Sequence, residues 1–262
     1  MGCCVSRGKP PADLSFLDLG ANVVRIQACD DSKRAVALAI ATRSFAGTAK
    51  TDPEGTLDWA LGPKLKDQWE DPRRLLMMDW LMKYMLDNVD RNGGFVLGGQ
   101  KESGDLGAVI FAIPEMHGHI KESTLQVFAR VPFTIGMPPF GKMNDARPGI
   151  EKRIDALEVL QDLHVKFNKP HVYVQVMAVD PDGQGQGFCG KLMRKVNDYA
   201  DHLHLPCYLE TNGEKNVAIY KRFGYQVEDD FFEVPCDNDP DKFGPCPKVV
   251  TMSRPPSPIG YM

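Results

Sequence analysis

Apolar residues recur along this chain either in short runs or at intervals of three to four residues. Short apolar runs bounded by Gly, Pro, Asn or Asp predict strands, whereas the wider spacing predicts helices that bury one face. The predicted strands are 22–28, 94–98, 107–114, 172–179, 206–210, 225–234 and 249–253. The predicted helices are 33–45, 73–88, 150–167, 191–203 and 214–222.

The order of these elements predicts one α/β (α+β) domain, with a mixed central sheet of about seven strands and helices on both faces. We place this domain at 20–254, after a disordered segment at 1–19 and before a frayed tail at 255–262. Two stretches without a sustained period, 51–69 and 116–147, are interpreted as loops. Because long loops in compact domains usually have a function, we interpret 116–147 as a wall of a substrate cleft.

Composition and charge narrow the class of protein. Of the 262 residues, 43% are apolar and 25% are charged, as in ordinary globular domains. A net charge of −4 without a dominant basic stripe argues against nucleic acid as a partner. The seven cysteines are odd in number and scattered, which favours free thiols in a reducing, cytoplasmic setting. The longest apolar run, 35–41, is far too short to span a bilayer.

The amino terminus carries a lipidation pattern. Its sequence, MGCCVS, fits N-myristoylation at Gly2 and places Cys3 and Cys4 next to it as candidate palmitoylation sites. A second acyl chain converts the marginal membrane binding of one myristoyl group into a stable anchor. The pattern therefore predicts attachment to the inner face of a membrane through N-terminal acyl chains, and the alternative is an inert, disordered start.

The densest signal for chemistry is a glycine-rich turn between the strand 172–179 and the helix 191–203. It contains glycines at positions 183, 185, 187 and 190. Glycine allows the backbone to approach a ligand closely and to adopt positive φ. The N-terminus of the following helix adds free N–H groups and the positive end of the helix dipole. The turn is therefore a candidate phosphate-binding site.

Two general phosphate-binding patterns match this turn incompletely. Gly185, Gly190 and Lys191 have the spacing of a Walker A loop, but Leu192 stands where a Ser or Thr must hold magnesium. The same glycines also form Gly-x-Gly-x-x-Gly with Glu210 20 residues on, as in dinucleotide-binding folds. In those folds the first glycine follows the strand directly, whereas here 180–184 intervene, and no βαβ unit precedes the motif.

A third pattern accounts for more of the sequence. The stretch Gln184-Gly185-Gln186-Gly187-Phe188-Cys189 resembles the Gln/Arg-x-x-Gly-x-Gly/Ala signature of the GNAT superfamily of N-acetyltransferases, with Cys189 where that family prefers Gly or Ala. Downstream, 216–225 is similar to the family's Asn-x-x-Ala-x-x-x-Tyr-x-x-x-Gly-Phe/Tyr segment, allowing for local spacing. Both motifs lie within 172–225. The resemblance implies a GNAT-like domain whose central sheet is splayed in the middle.

The resemblance also implies a cofactor site and residue roles. It implies acetyl-CoA as the co-substrate and no metal, since a thioester is already activated. Tyr220 is expected to protonate the departing CoA thiolate. Glu210, at the end of a strand, is a candidate base for the amine, with a merely solvated carboxylate as the alternative. The implied cofactor-binding residues are Met177, Ala178, Val179, Gln184, Gly185, Gln186, Gly187, Phe188, Cys189, Gly190 and Asn216.

The resulting prediction is an acyltransferase that moves an acetyl group directly from acetyl-CoA to a primary amine of a small molecule, or to another exposed amine. The alternatives are a CoA-binding module without catalysis and an NAD(P)-dependent oxidoreductase. His171 is a weaker candidate for the base. The pairs His117/His119 and His202/His204 offer too few ligands for a metal site.

Overall fold

The computed structural model of the chain describes residues 9–48, 51–119, 121–234 and 246–257. Gly2, Cys3 and Cys4, the predicted lipidation sites, lie outside the described residues. The strands are β1 Val23–Ile26, β2 Phe95–Gln100, β3 Leu106–Glu115, β4 His171–Val179, β5 Cys207–Asn212, β6 Gln226–Glu233 and β7 Lys248–Arg254. The helices are α1 Asp31–Ala46, α2 Gly55–Ala60, α3 Pro72–Arg91, α4 Thr124–Thr134, α5 Arg147–Ala156, α6 Glu158–Phe167, α7 Phe188–His202 and α8 Glu214–Lys221.

Within these ranges, seven strands form one sheet in the order β1-β2-β3-β4-β5-β7-β6. The β4–β5 pair is parallel and the other pairs are antiparallel. The β4 and β5 strands pair at two positions only, Val172 with Cys207 and Tyr173 with Tyr208. Beyond Tyr173 the two strands separate, so the sheet opens at its centre. The predicted mixed sheet with a central splay is confirmed.

Helices cover both faces of the sheet. On one face α7 packs Leu192, Met193 and Val196 against apolar β4 side chains such as Val174. On the other face α1 and α3 bury their apolar residues against β3 and β4, and Met77 of α3 is fully inaccessible. The helix starts follow from local sequence, because Asp71 caps α3 by accepting a hydrogen bond from the Arg73 amide at 2.9 Å. The strand β4, which leads into the glycine-rich turn, is therefore covered on both faces.

Both predicted loops contain a helix. In 51–69, Glu54 caps α2 by accepting from the amides of Thr56 and Leu57, and the density of Gly, Pro and charge hides this short helix in the sequence. In 116–147, Ser123 and Gln126 form a capping box at the start of α4. Its proline, Pro132, lies near the end of the helix and disguises its periodicity.

The predicted helix 150–167 is instead two helices, α5 and α6, that meet at Leu157. The Leu157 amide donates to the carbonyls of both Arg153 and Ile154, which tightens the turn without interrupting the apolar spacing.

The prediction of free thiols is wrong for Cys246, which is disulfide-bonded. Cys29, Cys189 and Cys207 are free. No helix among the described residues is long and apolar enough to cross a membrane.

Candidate active site

The exit from β4 is held in place by Asp180. Its buried carboxylate forms an ion pair with Arg43 of α1 and accepts a hydrogen bond from the Asp182 amide at 3.1 Å. Its own amide donates to the carbonyl of Gly107 on β3 at 2.9 Å. Because these contacts come from three elements, the chain leaves β4 in a fixed direction and enters a short 3₁₀ turn, Pro181–Gly183.

The two glycines that follow adopt a backbone conformation that other residues resist. Gly185 has φ +81° and Gly187 has φ +76°, and a Cβ atom at either position would meet nothing within 4 Å. Positive φ, not lack of space, therefore selects glycine here. Gly187 is the N-cap of α7, and no side chain caps that helix. The first amides of α7 are thus left without side-chain acceptors, as an anion site requires.

Phe188 fixes the start of α7 against the sheet. Its ring is 3% exposed, and Cβ atoms added at Gly99 of β2, Gly107 of β3 or Gly183 would approach the ring to between 2.8 and 3.5 Å. The ring therefore leaves little or no room for a Cβ atom at Gly107 and Gly99, and glycine suits these two strand positions. The side chain of Phe188 faces the core, so its amide is the group that this residue offers to a ligand.

Cys189 and Tyr220 lie close together behind the helix start. Burial raises the pKa of the Cys189 thiol to about 11, so the thiol stays protonated at neutral pH. Burial, together with the neighbouring Cys189 and Glu54, raises the pKa of Tyr220 above its ordinary value. The phenol is therefore held in its neutral, proton-carrying form. Asn216, four residues earlier on α8, is half-buried on the same helix.

Glu210 lies on β5 beside the opening between the strands. Its carboxylate accepts a hydrogen bond from the Tyr173 hydroxyl of β4 at 2.8 Å, and Tyr208 is a second hydrogen-bond partner. Burial raises the pKa of Glu210 to about 7, against the opposing effect of these two tyrosines. A carboxyl group with this pKa can exchange a proton near neutral pH. The half-buried position and the hydrogen bond from Tyr173 favour this role over the alternative of a solvated strand-end carboxylate.

Met177, Ala178 and Val179 form the end of β4. Their antiparallel partners on β3 run from Ile110 to Ala108, and they have no partner on β5. The β5-facing edge of β4 is thus available for pairing with another extended chain.

Four titratable residues near Glu210 form a cluster that no sequence motif indicates. Glu115 bonds His119 Nδ1 at 2.9 Å, and His164 Nε2 lies 2.6 Å from His171 Nε2. The rings of His119 and His164 stack at 3.8 Å with an interplanar angle of 12°. Burial lowers the pKa of both His164 and His171, so these imidazoles are neutral. Helix α6 and two strands bring these residues together, and their separation in sequence hides the cluster.

Ligand atoms of Glu115, His119 and His164 lie within 4.8 Å of one another, as in a metal site. Ring-nitrogen lone pairs lie in the ring plane, however, and stacked, nearly parallel planes do not direct them at one point. The arrangement suits packing and hydrogen bonding instead. His164 also stacks on Tyr208 at 4.7 Å, and it therefore supports one of the tyrosines that bind Glu210.

A cavity of about 570 Å³ lies at the carboxyl end of β5. Asn212 and Gly213 line one side, and α2 contributes Trp59. None of its lining residues comes from 116–147, the segment that the sequence suggested as a wall of the substrate cleft. Glu54 reaches this end of β5 through a hydrogen bond from the Asn212 side chain.

Comparisons with known proteins agree with this geometry. The family model for an acetyltransferase (GNAT) domain matches residues 154–227, from α6 to the start of β6. An acetyltransferase of Corynebacterium glutamicum, described as histone acetyltransferase HPA2 and related acetyltransferase, has 16% identity and a TM-score of 0.53, covering 90% of this chain and 96% of its own. Arylalkylamine N-acetyltransferase 2 of Aedes aegypti has 15% identity and a TM-score of 0.51, covering 90% and 100%. No curated protein matches significantly.

At these identities the solved structures show a shared fold, while the family model falls on the segment that carries the sequence motifs. The glycine-rich turn, the open strand pair and α8 all lie within that matched segment. The match to this domain model supports acetyl transfer to an amine, with acetyl-CoA as the donor that the matched family uses. The resemblance seen in the sequence is therefore confirmed: residues 154–227 match the acetyltransferase (GNAT) domain model, and the chain shares the fold of solved acetyltransferases.

Proposed function

We propose that this chain transfers an acetyl group from acetyl-CoA directly to a primary amine of a small molecule, or to another exposed amine. One observation carries the proposal. The opening between β4 and β5 has an uncapped, glycine-rich helix start on one side and a carboxyl group with a pKa of about 7 on the other. An anion site and a proton acceptor near neutral pH thus face a single opening.

The described residues fit acetyl-CoA. Gly185 and Gly187 have open space where a side chain would be, and the amides from Phe188 to Gly190 begin an uncapped helix, as a pyrophosphate requires. The free edge of Met177–Val179 suits an extended pantetheine arm, and Asn216 of α8 is proposed to bind the same arm. When bound, the thioester supplies an already activated acetyl group, so these residues have to position it and exclude water.

Glu210 is proposed as the base that removes the proton from the incoming ammonium group. The hydrogen bond from Tyr173 fixes the orientation of its carboxylate, and burial places its pKa close to physiological pH. Tyr220 is proposed as the acid that protonates the departing thiolate, because its raised pKa keeps the phenol proton in place until it is needed. Base and acid are thus provided by separate elements, β5 and α8.

The test of this proposal is Tyr220→Phe in the full chain. We expect kcat to fall by about 100-fold or more, the usual contribution of a positioned acid, while the Kd for CoA changes little. The measurements are steady-state CoA release with a panel of amines and calorimetry with CoA. Cys189→Ala is the matched control, since it alters the neighbouring side chain without removing the phenol. Unchanged turnover in Tyr220→Phe would remove Tyr220 from the mechanism.

The second candidate function is a CoA-binding module without catalysis, in which Cys189 impairs the site. Cys189 occupies a signature position where the family prefers Gly or Ala, and it lies close enough to Tyr220 to help raise the pKa of the phenol. CoA binding by calorimetry without CoA release for any amine would establish it and refute the enzyme.

We also propose that Gly2, Cys3 and Cys4 carry acyl chains that hold the protein at the cytoplasmic face of a membrane. The match of the first six residues to the myristoylation pattern supports this proposal.

A further inference from the structure

Helix α4 exposes an apolar stripe. Leu125, Ala129 and Phe133 are spaced four residues apart and therefore lie on one side of the helix. Leu125 is 79% exposed and Phe133 is 88% exposed, and Met137 continues the exposed apolar surface beyond the helix end. Val36 of α1 and Leu75 of α3, exposed apolar residues elsewhere, stand on other helices. The α4 stripe therefore differs from scattered surface leucines or valines.

The opposite side of α4 faces the protein and is joined to α3 by an ion pair. Val131 is 4% exposed, and the Arg130 guanidinium pairs with Asp87 and Glu122. Beyond the helix, the Trp80 indole donates a hydrogen bond to the Gly136 carbonyl at 2.9 Å. These contacts fix which side of α4 faces outward, so the apolar stripe does not result from a freely rotating helix.

The start of the described chain lies next to the start of α4. The Lys9 amide donates to the Arg91 carbonyl at 3.0 Å, and the Arg91 side chain bonds Glu122 at 2.7 Å. Glu122 directly precedes the Ser123 cap of α4. The eight residues before Lys9 reach at most about 28 Å when extended, and α4 is about 16 Å long. The length of this segment therefore exceeds the length of α4.

We propose that the α4 stripe docks on the surface of a lipid bilayer, next to the N-terminal segment. An apolar helix face inserts into the interface between headgroups and acyl chains and binds in proportion to the area that it buries. One acyl chain alone binds only marginally, so a second apolar contact near the start of the described chain would stabilise the bound state. Because Arg91 and Arg130 are already paired with acidic side chains, apolar burial dominates over attraction to anionic lipid.

The test is vesicle flotation of the full chain, produced with and without N-myristoyltransferase, on vesicles of phosphatidylcholine and phosphatidylserine. We expect the double variant Leu125→Ser/Phe133→Ser to bind at least about tenfold less than the wild type in both forms, since each buried side chain contributes on this scale. The matched control is Val36→Ser/Leu75→Ser, which removes comparable exposed apolar groups on other helices and should bind as the wild type does. Gly2→Ala should remove only the acyl contribution.

Two results would overturn the docking surface. Equal vesicle binding by the α4 variant and the wild type would show that the stripe does not touch lipid. Concentration-dependent dimers of the wild type that the α4 variant abolishes, without vesicle binding, would assign the stripe to a second copy of the chain. Circular dichroism and unchanged CoA affinity establish that the variants are folded, so loss of vesicle binding cannot be ascribed to unfolding.

Discussion

At the scale of single residues, burial between two strands gives Glu210 a carboxyl group that is half ionised near neutral pH. A base must be ionised to act, so kcat/KM should rise with pH and level off above about 7. Glu210→Gln should abolish this rising limb together with most of the activity.

Tyr173→Phe removes a hydrogen bond that stabilises the carboxylate anion. The limb should therefore move to higher pH while the maximal rate is largely retained. The measurement is the pH profile of kcat/KM for the three proteins. A limb that stays in place in Tyr173→Phe would contradict the assignment of that limb to Glu210.

The same carboxyl group predicts a dependence of stability on pH. The folded-state pKa of Glu210 lies above the unfolded value of 4.5, so the folded state holds the proton more tightly. The contribution of this proton to the free energy of unfolding is complete below pH 4.5. It is lost as the pH rises through about 7, and the loss amounts to about 3 kcal/mol. Glu210→Gln carries no charge and should gain in Tm relative to the wild type across this window. Equal pH dependence of Tm in both proteins would show that the carboxyl group is well solvated.

The placement of the candidate site residues was predictable only where a motif contained them. The positions of Gly185, Gly187 and Tyr220 follow from sequence spacing, because a turn and one helix determine them locally. Glu54 and His164 approach the site from α2 and α6, and nothing in their own neighbourhood indicates this. Contacts between distant segments depend on how the helices pack, which a local pattern does not encode.

At the scale of elements, the uncapped start of α7 allows the effect of replacing its N-cap glycine to be predicted. Gly187→Ala places a Cβ at φ +76°, which costs about 1–2 kcal/mol. Gly104→Ala, at φ +89° in the turn between β2 and β3, carries the same kind of strain and likewise meets no atom within 4 Å. Both variants should lose similar stability in chemical denaturation. Only Gly187→Ala should weaken CoA binding, by about tenfold, because its backbone holds the anion site.

A loss of CoA affinity of equal size in both glycine variants would attribute the effect to general destabilisation.

The strands and the helices α1, α3, α7 and α8 were predictable because each shows its period and its ends in the sequence. Helices α2 and α4 were missed, since α2 is six residues long and α4 contains Pro132. Both are stabilised by caps and by tertiary contacts rather than by a continuous apolar stripe.

At the scale of the molecule, the matched family segment ends at residue 227, while the elements that surround it come from the whole chain. The sheet order and the layers followed from the sequence of elements. The position of the segment between β3 and β4, which carries α4 on the outside, did not follow from the sequence. This position depends on ion pairs such as that of Arg130 with Asp87.

The two-position contact between β4 and β5 has a consequence for cooperativity. The strands β1 to β4 and the strands β5 to β7 form two blocks, and across the sheet only the pairs at Val172 and Tyr173 join them. Few backbone hydrogen bonds cross that boundary, and the apolar cluster beneath α7, which includes Val174 of β4 and Leu209 of β5, also joins the two blocks. A ligand that pairs along the free edge of β4 and binds the start of α7 acts as a missing strand between the blocks. Ligand binding then strengthens the contact between the two blocks. The free energy of binding therefore adds to the free energy of unfolding of the whole protein.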